Sequence, residues 1–348
     1  MGTIRYDKPA SLIVGAVVME AVAALCVGLR FFSRRWKRQR IIISDWLILA
    51  AFTFGTGLTV LEIYGIKEHA LAYPIGSTFE NQEFVTERLN KAEYIEFSYL
   101  LIGILALGLL KLSVCFLYWD LFAMVMFRHF LLVWMSLIAV WTAAFVLSMF
   151  LECRSHFMAS FGPLDDYTKY CESAIPIGWS LVGTDVGTDV ITLIIPIPAI
   201  LKSQLSKRSK VLALLTFMIG ALSVSASAVK AYIYITATQN VHNEDAIVIL
   251  TGISIWNLAE VQVGVVAACG PVLRPIVLHL MPTEIIVSFI RSWRWHPKKS
   301  SESTLNYAKM TESEDRLRVL QLVRQLSEQD GIEEVGRSYE IKPRAQPI

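Results

Sequence analysis

The chain has 348 residues, of which 54% are hydrophobic and 18% are charged, and its mean hydropathy is +0.50. This composition is too apolar for a soluble domain of that length, so we expect the lipid bilayer to be its solvent. The formal net charge of +2 gives no reason to expect a nucleic-acid partner.

Seven segments have the length and apolar character of membrane-spanning helices. A spanning helix needs about 20 mostly apolar residues. The seven segments are residues 11–32, 42–64, 95–117, 130–151, 175–201, 211–237 and 246–272. Transmembrane strands would be shorter and would alternate in polarity. We therefore predict an all-α membrane protein, a seven-transmembrane helix bundle that occupies residues 1–280.

The charged residues of the connecting segments predict the orientation of the bundle. Cations are concentrated after the first segment, after the fifth and in the C-terminal tail, whereas carboxylates dominate the other connections. Basic connections face the cytosol. We therefore expect the N-terminus outside the cytosol and the C-terminus inside it, in the endoplasmic reticulum or the plasma membrane.

Two of the five cysteines lie in one connection that is predicted to face outward. Cys153 and Cys171 follow the fourth segment and precede the fifth. Because that side is oxidising, we predict a disulfide between them, with two free thiols as the alternative. Cys26, Cys115 and Cys269 lie in apolar segments, where they read as packing residues.

The C-terminal tail, residues 281–348, is predicted to be cytosolic. Residues 284–295 alternate apolar side chains with arginine, which favours an amphipathic helix on the inner membrane surface. The remainder is rich in Ser, Lys and Glu and is predicted to be largely disordered. Residues 315–326 repeat leucine at helical spacing and form either a partner-docking helix or part of a solvated tail.

Ionisable side chains within the spans are the candidate functional residues. Such groups cost several kcal/mol in lipid unless they face the bundle interior and find partners. The candidates singled out are Glu20, Lys111, Asp185, Asp189, Lys230 and Glu260, with Asp45 and Glu62 near the ends of the second span.

Most of these groups lie at similar predicted depths, which favours a single polar cluster. Asp185 and Asp189 are four residues apart and share a helix face. Lys230 and Glu260 lie on consecutive spans and are expected to form an ion pair. We predict a polar chamber open toward the outer leaflet, with Asp185, Asp189 and Glu260 as candidate catalytic acids. The candidate ligand-binding residues are Lys230, Glu20, Trp256, Thr184 and Thr188.

Lys111 lies deeper toward the cytosolic side. Its reachable partners are Asp45 and Asp189, and we interpret Lys111 and Asp45 as structural ion-pair residues. For the chamber residues, a purely structural role in fixing helix register remains the alternative. The histidines are scattered, so we predict no metal site, and no sequence motif indicates a cofactor.

Several polar landmarks, read in chain order, resemble the fungal rhodopsin-like integral membrane protein family. They are Ser44 with Asp45, Lys111 to Ser113, Tyr118 to Phe122, Cys153 and Cys171, Asp185 and Asp189 followed by residues 195–198, Trp256 with Glu260, and residues 269–275. Departures include Ser44, Asp120 after Trp119, and Lys230 in a place that is commonly arginine. The resemblance implies the seven-helix architecture and does not determine the chemistry.

Three functions remain open from the sequence. The first is a membrane protein of a secondary-metabolite pathway that binds a lipophilic small molecule, with or without acid–base cyclisation or hydrolysis. The second is a receptor-like sensor of an external small molecule. The third is a transporter or scaffold. Pathway enzymes or a G protein are the protein partners that these hypotheses imply. A retinal photoreceptor is disfavoured, because residues 246–272 contain no lysine.

Overall fold

A computed structural model describes most of the helical part of the chain. The described residues are 8–73, 82–121, 124–153, 171, 174–198, 207–239 and 246–280. Side chains are not described in residues 82–90, 207–215, 246 and 274–280. The predicted helix 284–295 and the rest of the tail lie outside the described residues, as does the predicted boundary after residue 280.

The described residues contain seven helices that are long and apolar enough to cross a membrane, and no strand. These are α1 (Pro9–Trp36), α2 (Ile43–Lys67), α3 (Gln82–Leu121), α4 (Val125–Leu151), α5 (Ala174–Ile194), α6 (Lys207–Gln239) and α7 (Ala246–Leu280). The predicted all-α, seven-helix fold class is confirmed.

The helices differ from the apolar segments mainly at their ends. For example, α3 begins at Gln82 and α6 at Lys207, well before the corresponding apolar runs. Backbone hydrogen bonding continues into polar flanks, so hydropathy marks the membrane-embedded part of a helix rather than its full length.

The helices form a closed bundle in which α3 and α7 are the most enclosed. Consecutive helices pack together, α7 returns to contact α1, and α3 contacts α2, α4, α5 and α7. The most apolar windows of α3 and α7 are 56% and 61% buried, whereas that of α4 is only 11% buried. Polar side chains that need protein partners are therefore best accommodated on α3 and α7.

A disulfide joins the end of α4 to the start of α5. Cys153 and Cys171 are bonded, as predicted, and both are 3% exposed. At the same end of the bundle the chain after α2 folds back, and the Ala72 amide donates a hydrogen bond to Thr251 Oγ1 on α7 at 2.8 Å. We refer to this end of the bundle as the disulfide end.

Candidate functional site

Five ionisable side chains from α3, α5, α6 and α7 meet inside the bundle, and we call them the ion cluster. They are Lys111, Asp185, Asp189, Lys230 and Glu260. Their helices are mostly apolar and turn these charged positions toward the bundle interior, because positions that face lipid would leave the charge unpaired.

Asp185 is the centre of the ion cluster. Lys111 Nζ lies 2.7 Å from Asp185 Oδ1, and Lys230 Nζ lies 2.7 Å from Asp185 Oδ2. Lys111 also pairs with Asp189 Oδ1 at 3.0 Å, and Lys230 pairs with Glu260 Oε2 at 2.5 Å. One carboxylate on α5 therefore links a lysine on α3 to a lysine on α6.

Neutral side chains complete the coordination of the two lysines. Lys111 Nζ donates to Thr188 Oγ1 at 2.7 Å and lies 4.8 Å from the centroid of the Trp141 ring. Lys230 Nζ donates to Asn257 Oδ1 at 3.2 Å. Ser227 Oγ donates to Asp189 Oδ2 at 3.1 Å. The ammonium groups thus keep their hydrogen bonds although both side chains are buried.

The ion cluster contains one more carboxyl than amine. Asp185, Asp189 and Glu260 each place one oxygen within 4.8 Å of the others, a spacing that could hold a metal ion. However, the two lysine ammonium groups already lie between these oxygens. Glu260 Oε1 has no hydrogen-bond partner among the described residues, and the Glu260 side chain is fully buried.

A cavity of about 290 Å³ extends from the ion cluster toward the end of the bundle opposite the disulfide end. Its walls come from the second halves of α3, α5 and α7 and from the first half of α6. Most wall residues are apolar, among them Leu110, Val114, Phe217 and Ala267. Lys111 and Asp189 of the ion cluster contribute to its lining.

The position of the cavity corrects one sequence-based expectation. Asp185, Asp189, Lys230 and Glu260 do come together, but the chamber predicted to open toward the outer leaflet lies elsewhere. The cavity is on the side of the ion cluster that faces away from the disulfide, which was itself assigned to the outer side. The position of a residue along its span predicts its depth in the membrane. It does not predict where the packing of neighbouring side chains leaves a cavity.

Glu20 belongs to a different polar network and not to the predicted cluster. Its carboxylate accepts hydrogen bonds from Thr56 Oγ1 at 2.7 Å, from Thr59 Oγ1 at 2.9 Å and from the side-chain amide of Gln262. Glu20 therefore links α1 to α2 and α7. Depth alone had suggested that it joins Asp185.

Of the two partners predicted for Lys111, Asp189 lies within 3.0 Å, whereas the pairing with Asp45 is wrong. Asp45 pairs with Arg30 at 2.8 Å and with Arg34 at 3.2 Å, whereas Lys111 pairs only with carboxylates of α5 among the described residues. Arg30 is fully buried and also donates to the Ala268 carbonyl at 2.8 Å. Arg30 lies within the first predicted span, residues 11–32, but was not among the candidate residues, so Lys111 was the partner considered for Asp45.

The two threonines and the tryptophan predicted to bind ligand differ in position. Thr188 is buried and contacts Lys111. Thr184 is exposed and accepts a hydrogen bond from Trp141 Nε1 at 2.9 Å. Trp256 is partly buried on α7, one turn before Glu260. Neither Thr184 nor Trp256 lines the cavity.

Sequence reasoning missed Asn257, Ser227 and Trp141 as partners of the ion cluster. Asn257 and Ser227 each precede a charged residue, Glu260 or Lys230, by three positions and so share its helix face. That spacing was a usable signal. The contact of Trp141 with Lys111 depends on how α4 packs against α3, which no local pattern shows.

Two serines explain one of the sequence landmarks. Ser44 Oγ donates to the Ser113 carbonyl at 2.8 Å, and Ser113 Oγ donates to the Ser44 carbonyl at 2.8 Å. This reciprocal pair joins α2 to α3 next to Asp45. Ser44 also accepts a hydrogen bond from Arg30.

Comparison with known proteins found two relatives of low identity. Over 314 residues the chain is 26% identical to Receptor GIN3 of Arthrobotrys oligospora. The aligned region covers 87% of this chain and 72% of that protein. Over 274 residues it is 24% identical to polyenoic acids biosynthesis gene cluster protein Ba17b of Metarhizium anisopliae. That aligned region covers 74% of this chain and 71% of that protein. No solved structure matches the chain.

A family model for the fungal rhodopsin domain matches residues 29–279. The match includes all five residues of the ion cluster, the walls of the cavity and both disulfide cysteines. The chain therefore belongs to the fungal rhodopsin domain family, as its landmarks indicated, and is a multi-pass membrane protein.

Proposed function

We propose that the protein binds a lipophilic small molecule in the cavity between α3, α5, α6 and α7. The supporting observation is an apolar cavity of about 290 Å³ that has one charged pair, Lys111 with Asp189, in its lining. Ligand pockets typically combine apolar walls with a few polar groups that fix orientation. A volume near the lower end of the usual range favours a compact molecule.

The geometry favours binding over acid–base catalysis. Asp185 and Glu260 do not line the cavity, and each has a lysine within 2.7 Å. Asp189 lines the cavity, and its side chain is 12% exposed. The ligand therefore meets Asp189 and not the other two carboxyls. A hydroxyl group on the ligand would donate to Asp189, while its hydrocarbon part occupies the apolar walls.

The biological role that we favour is in a secondary-metabolite pathway. The relationship to a protein of a polyenoic acid gene cluster supports this role, since such pathways produce lipophilic intermediates. The second candidate is a receptor. It is favoured by the relationship to Receptor GIN3, which extends over a larger part of the chain.

The binding proposal can be tested by filling the cavity. Ala267→Phe adds a ring to the cavity wall, and Asp189→Asn removes the charge while keeping the shape. The control is Ala143→Phe, which adds the same ring at an exposed position of α4. The purified full-length proteins are equilibrated with an organic extract of cells that express the chain, and bound molecules are identified by mass spectrometry.

We expect a compound that is retained by wild type and Ala143→Phe, weakened in Asp189→Asn and lost in Ala267→Phe. Equal retention by all four proteins would contradict binding in this cavity. The two roles are separated in cells that lack the chain. A missing metabolite indicates the pathway role, and a lost cAMP response to the compound indicates the receptor role.

A further inference from the structure

A second group of carboxyls lies near the disulfide end and takes no part in the ion cluster. Glu62 on α2 is fully buried, and neither of its carboxylate oxygens has a hydrogen-bond partner among the described residues. A buried unpaired carboxylate costs several kcal/mol in a membrane protein. Glu62 therefore requires a positively charged partner or a proton.

The register of α2 and α3 places Glu62 beside Glu96 and Tyr99. A Cβ atom added at Gly65 would lie 3.6 Å from Ile95 Cγ2, and one added at Gly57 would lie 3.9 Å from Ile102 Cγ2. Between these two contacts the antiparallel helices bring Glu62 opposite the turn of α3 that carries Glu96 and Tyr99. Both residues are close enough to Glu62 to interact with it electrostatically.

The surroundings of Glu62 are rich in oxygen atoms. The Tyr99 hydroxyl donates to the Ser254 carbonyl at 2.9 Å, and the Ser254 hydroxyl donates to the Thr251 carbonyl at 3.1 Å. Both hydroxyl oxygens keep lone pairs that can coordinate a cation. Ser254 lies close to the Glu62 carboxyl, but its hydroxyl proton is directed at the Thr251 carbonyl and not at Glu62.

No cationic side chain among the described residues pairs with Glu62 or Glu96. Lys91 is the lysine at this end of α3, and it is exposed and pairs with Glu68 at 3.4 Å. One turn before Glu96, Glu93 also has a carboxylate oxygen, Oε2, that is buried and has no partner. Carboxyl groups therefore accumulate here without a cationic side chain among the described residues to pair with Glu62 or Glu96, in contrast to the ion cluster with its two lysines.

We propose that Glu62 and Glu96 bind a monovalent metal cation such as Na⁺ between α2, α3 and α7. Carboxylate and hydroxyl oxygens are the ligands that hard cations prefer. Glu62, Glu96, Tyr99 and Ser254 offer at most six side-chain oxygens, and six only if both carboxylates bind through both oxygens. Ca²⁺ takes six to eight, so this set is at or below its minimum, which favours a monovalent ion. The cation joins α2 to α3 next to Ser254 on α7. This site is separate from the proposed ligand cavity, so either proposal can fail without the other.

The test measures binding of Na⁺ to the full-length protein in nanodiscs. Binding of ²²Na⁺ is recorded at constant ionic strength with N-methyl-D-glucamine as the replacement cation. Glu62→Gln and Glu96→Gln remove one charge each with little change in shape. Glu68→Gln is the matched control, since Glu68 is a partly exposed carboxylate near the same end. A parallel measurement follows the thermal unfolding temperature with and without Na⁺.

We expect saturable ²²Na⁺ binding and a Na⁺-dependent rise in unfolding temperature in wild type and in Glu68→Gln. Affinity should fall by about tenfold or more in both Glu62→Gln and Glu96→Gln. If wild type shows neither effect, the carboxyls are neutralised by protons and the proposal is wrong. Binding that is unchanged in the two folded variants would also overturn it, because the cation would then lie elsewhere.

Tyr99→Phe is a second test of the site, which can be used if the glutamine variants do not fold. It keeps both carboxyls and removes one hydroxyl oxygen. We expect weakened Na⁺ binding in a protein whose unfolding temperature without Na⁺ stays close to that of wild type. Na⁺ affinity equal to that of wild type would remove Tyr99 from the site and contradict the geometry proposed here.

Discussion

Lys230 is the side chain on which the ion cluster depends most. It neutralises both Asp185 and Glu260, which are almost completely buried. Replacing Lys230 by Met keeps the apolar length of the side chain but leaves Glu260 without its cation and Asp185 with Lys111 alone. Breaking a buried pair by removing one partner typically costs 3–5 kcal/mol. We predict a loss of roughly that size in the free energy of unfolding.

Lys91→Met is the matched control for Lys230→Met. Lys91 pairs with Glu68 at the surface, where both side chains are more than a third exposed. Such pairs contribute about 0–1 kcal/mol. Chemical denaturation of both variants in the same lipid environment gives the comparison. Equal losses in the two variants would mean that Lys230 is not the main counter-ion of the cluster.

For individual residues, the sequence predicted which charged side chains lie inside the bundle better than it predicted which residues they pair with. The cost of a charge in lipid identifies Asp185, Lys230 and Glu260 from the sequence alone. Partner choice depends on side-chain reach and on which helix faces which. Asp45 pairs with Arg30 and not with Lys111 because of these two factors. Neither side-chain reach nor the packing of helices can be read from one sequence.

Among the helices, α3 and α7 approach each other closely at Gly103. A Cβ atom at this position would lie 2.5 Å from Asn257 Nδ2, so Asn257 must move if Gly103 is replaced by Ala. Asn257 would then withdraw from Lys230. Overpacking of a well-packed interior costs about 1–3 kcal/mol. We predict a loss of stability in that range for Gly103→Ala, measured by thermal unfolding.

Gly15→Ala on α1 is the control for Gly103→Ala. No atom lies within 4 Å of a Cβ added there. Alanine is favoured over glycine in a helix by about 1 kcal/mol, so this substitution should leave stability unchanged or raise it. A similar loss in both variants would show that α3 and α7 are not tightly packed at Gly103.

At the scale of the elements, helix number was predictable and helix packing was not. Seven apolar runs indicate seven helices because lipid requires internal backbone hydrogen bonding. The enclosed positions of α3 and α7 follow from the contacts that each makes with four other helices. The cavity forms where side chains of α3, α5, α6 and α7 leave space, and this space depends on packing rather than on hydropathy.

For the whole molecule, the distribution of charge predicts an orientation that the helices alone do not determine. Basic residues follow α1 and α5, and they flank the end of the bundle that is opposite the disulfide. We predict that a tag placed before α1 is protected from protease in sealed microsomes and that a tag at the C-terminus is digested. Digestion of both tags only after detergent treatment would contradict this topology.

The predicted orientation also determines which half of the membrane contains the cavity. If the disulfide end faces away from the cytosol, the cavity lies in the cytosolic half of the membrane. A ligand would then enter from the inner leaflet or the cytosol. This arrangement suits a product of intracellular synthesis better than an extracellular signal.

The bridge between Cys153 and Cys171 imposes an order on how the protein matures. If the disulfide end faces an oxidising lumen, as the distribution of charge predicts, both sulfur atoms must reach that lumen before they can join. The fourth and fifth helices must then already be inserted. Bond formation therefore marks completion of that hairpin during synthesis. A host that inserts the chain but lacks an oxidising lumen would accumulate a reduced form, distinguishable by its migration after thiol alkylation.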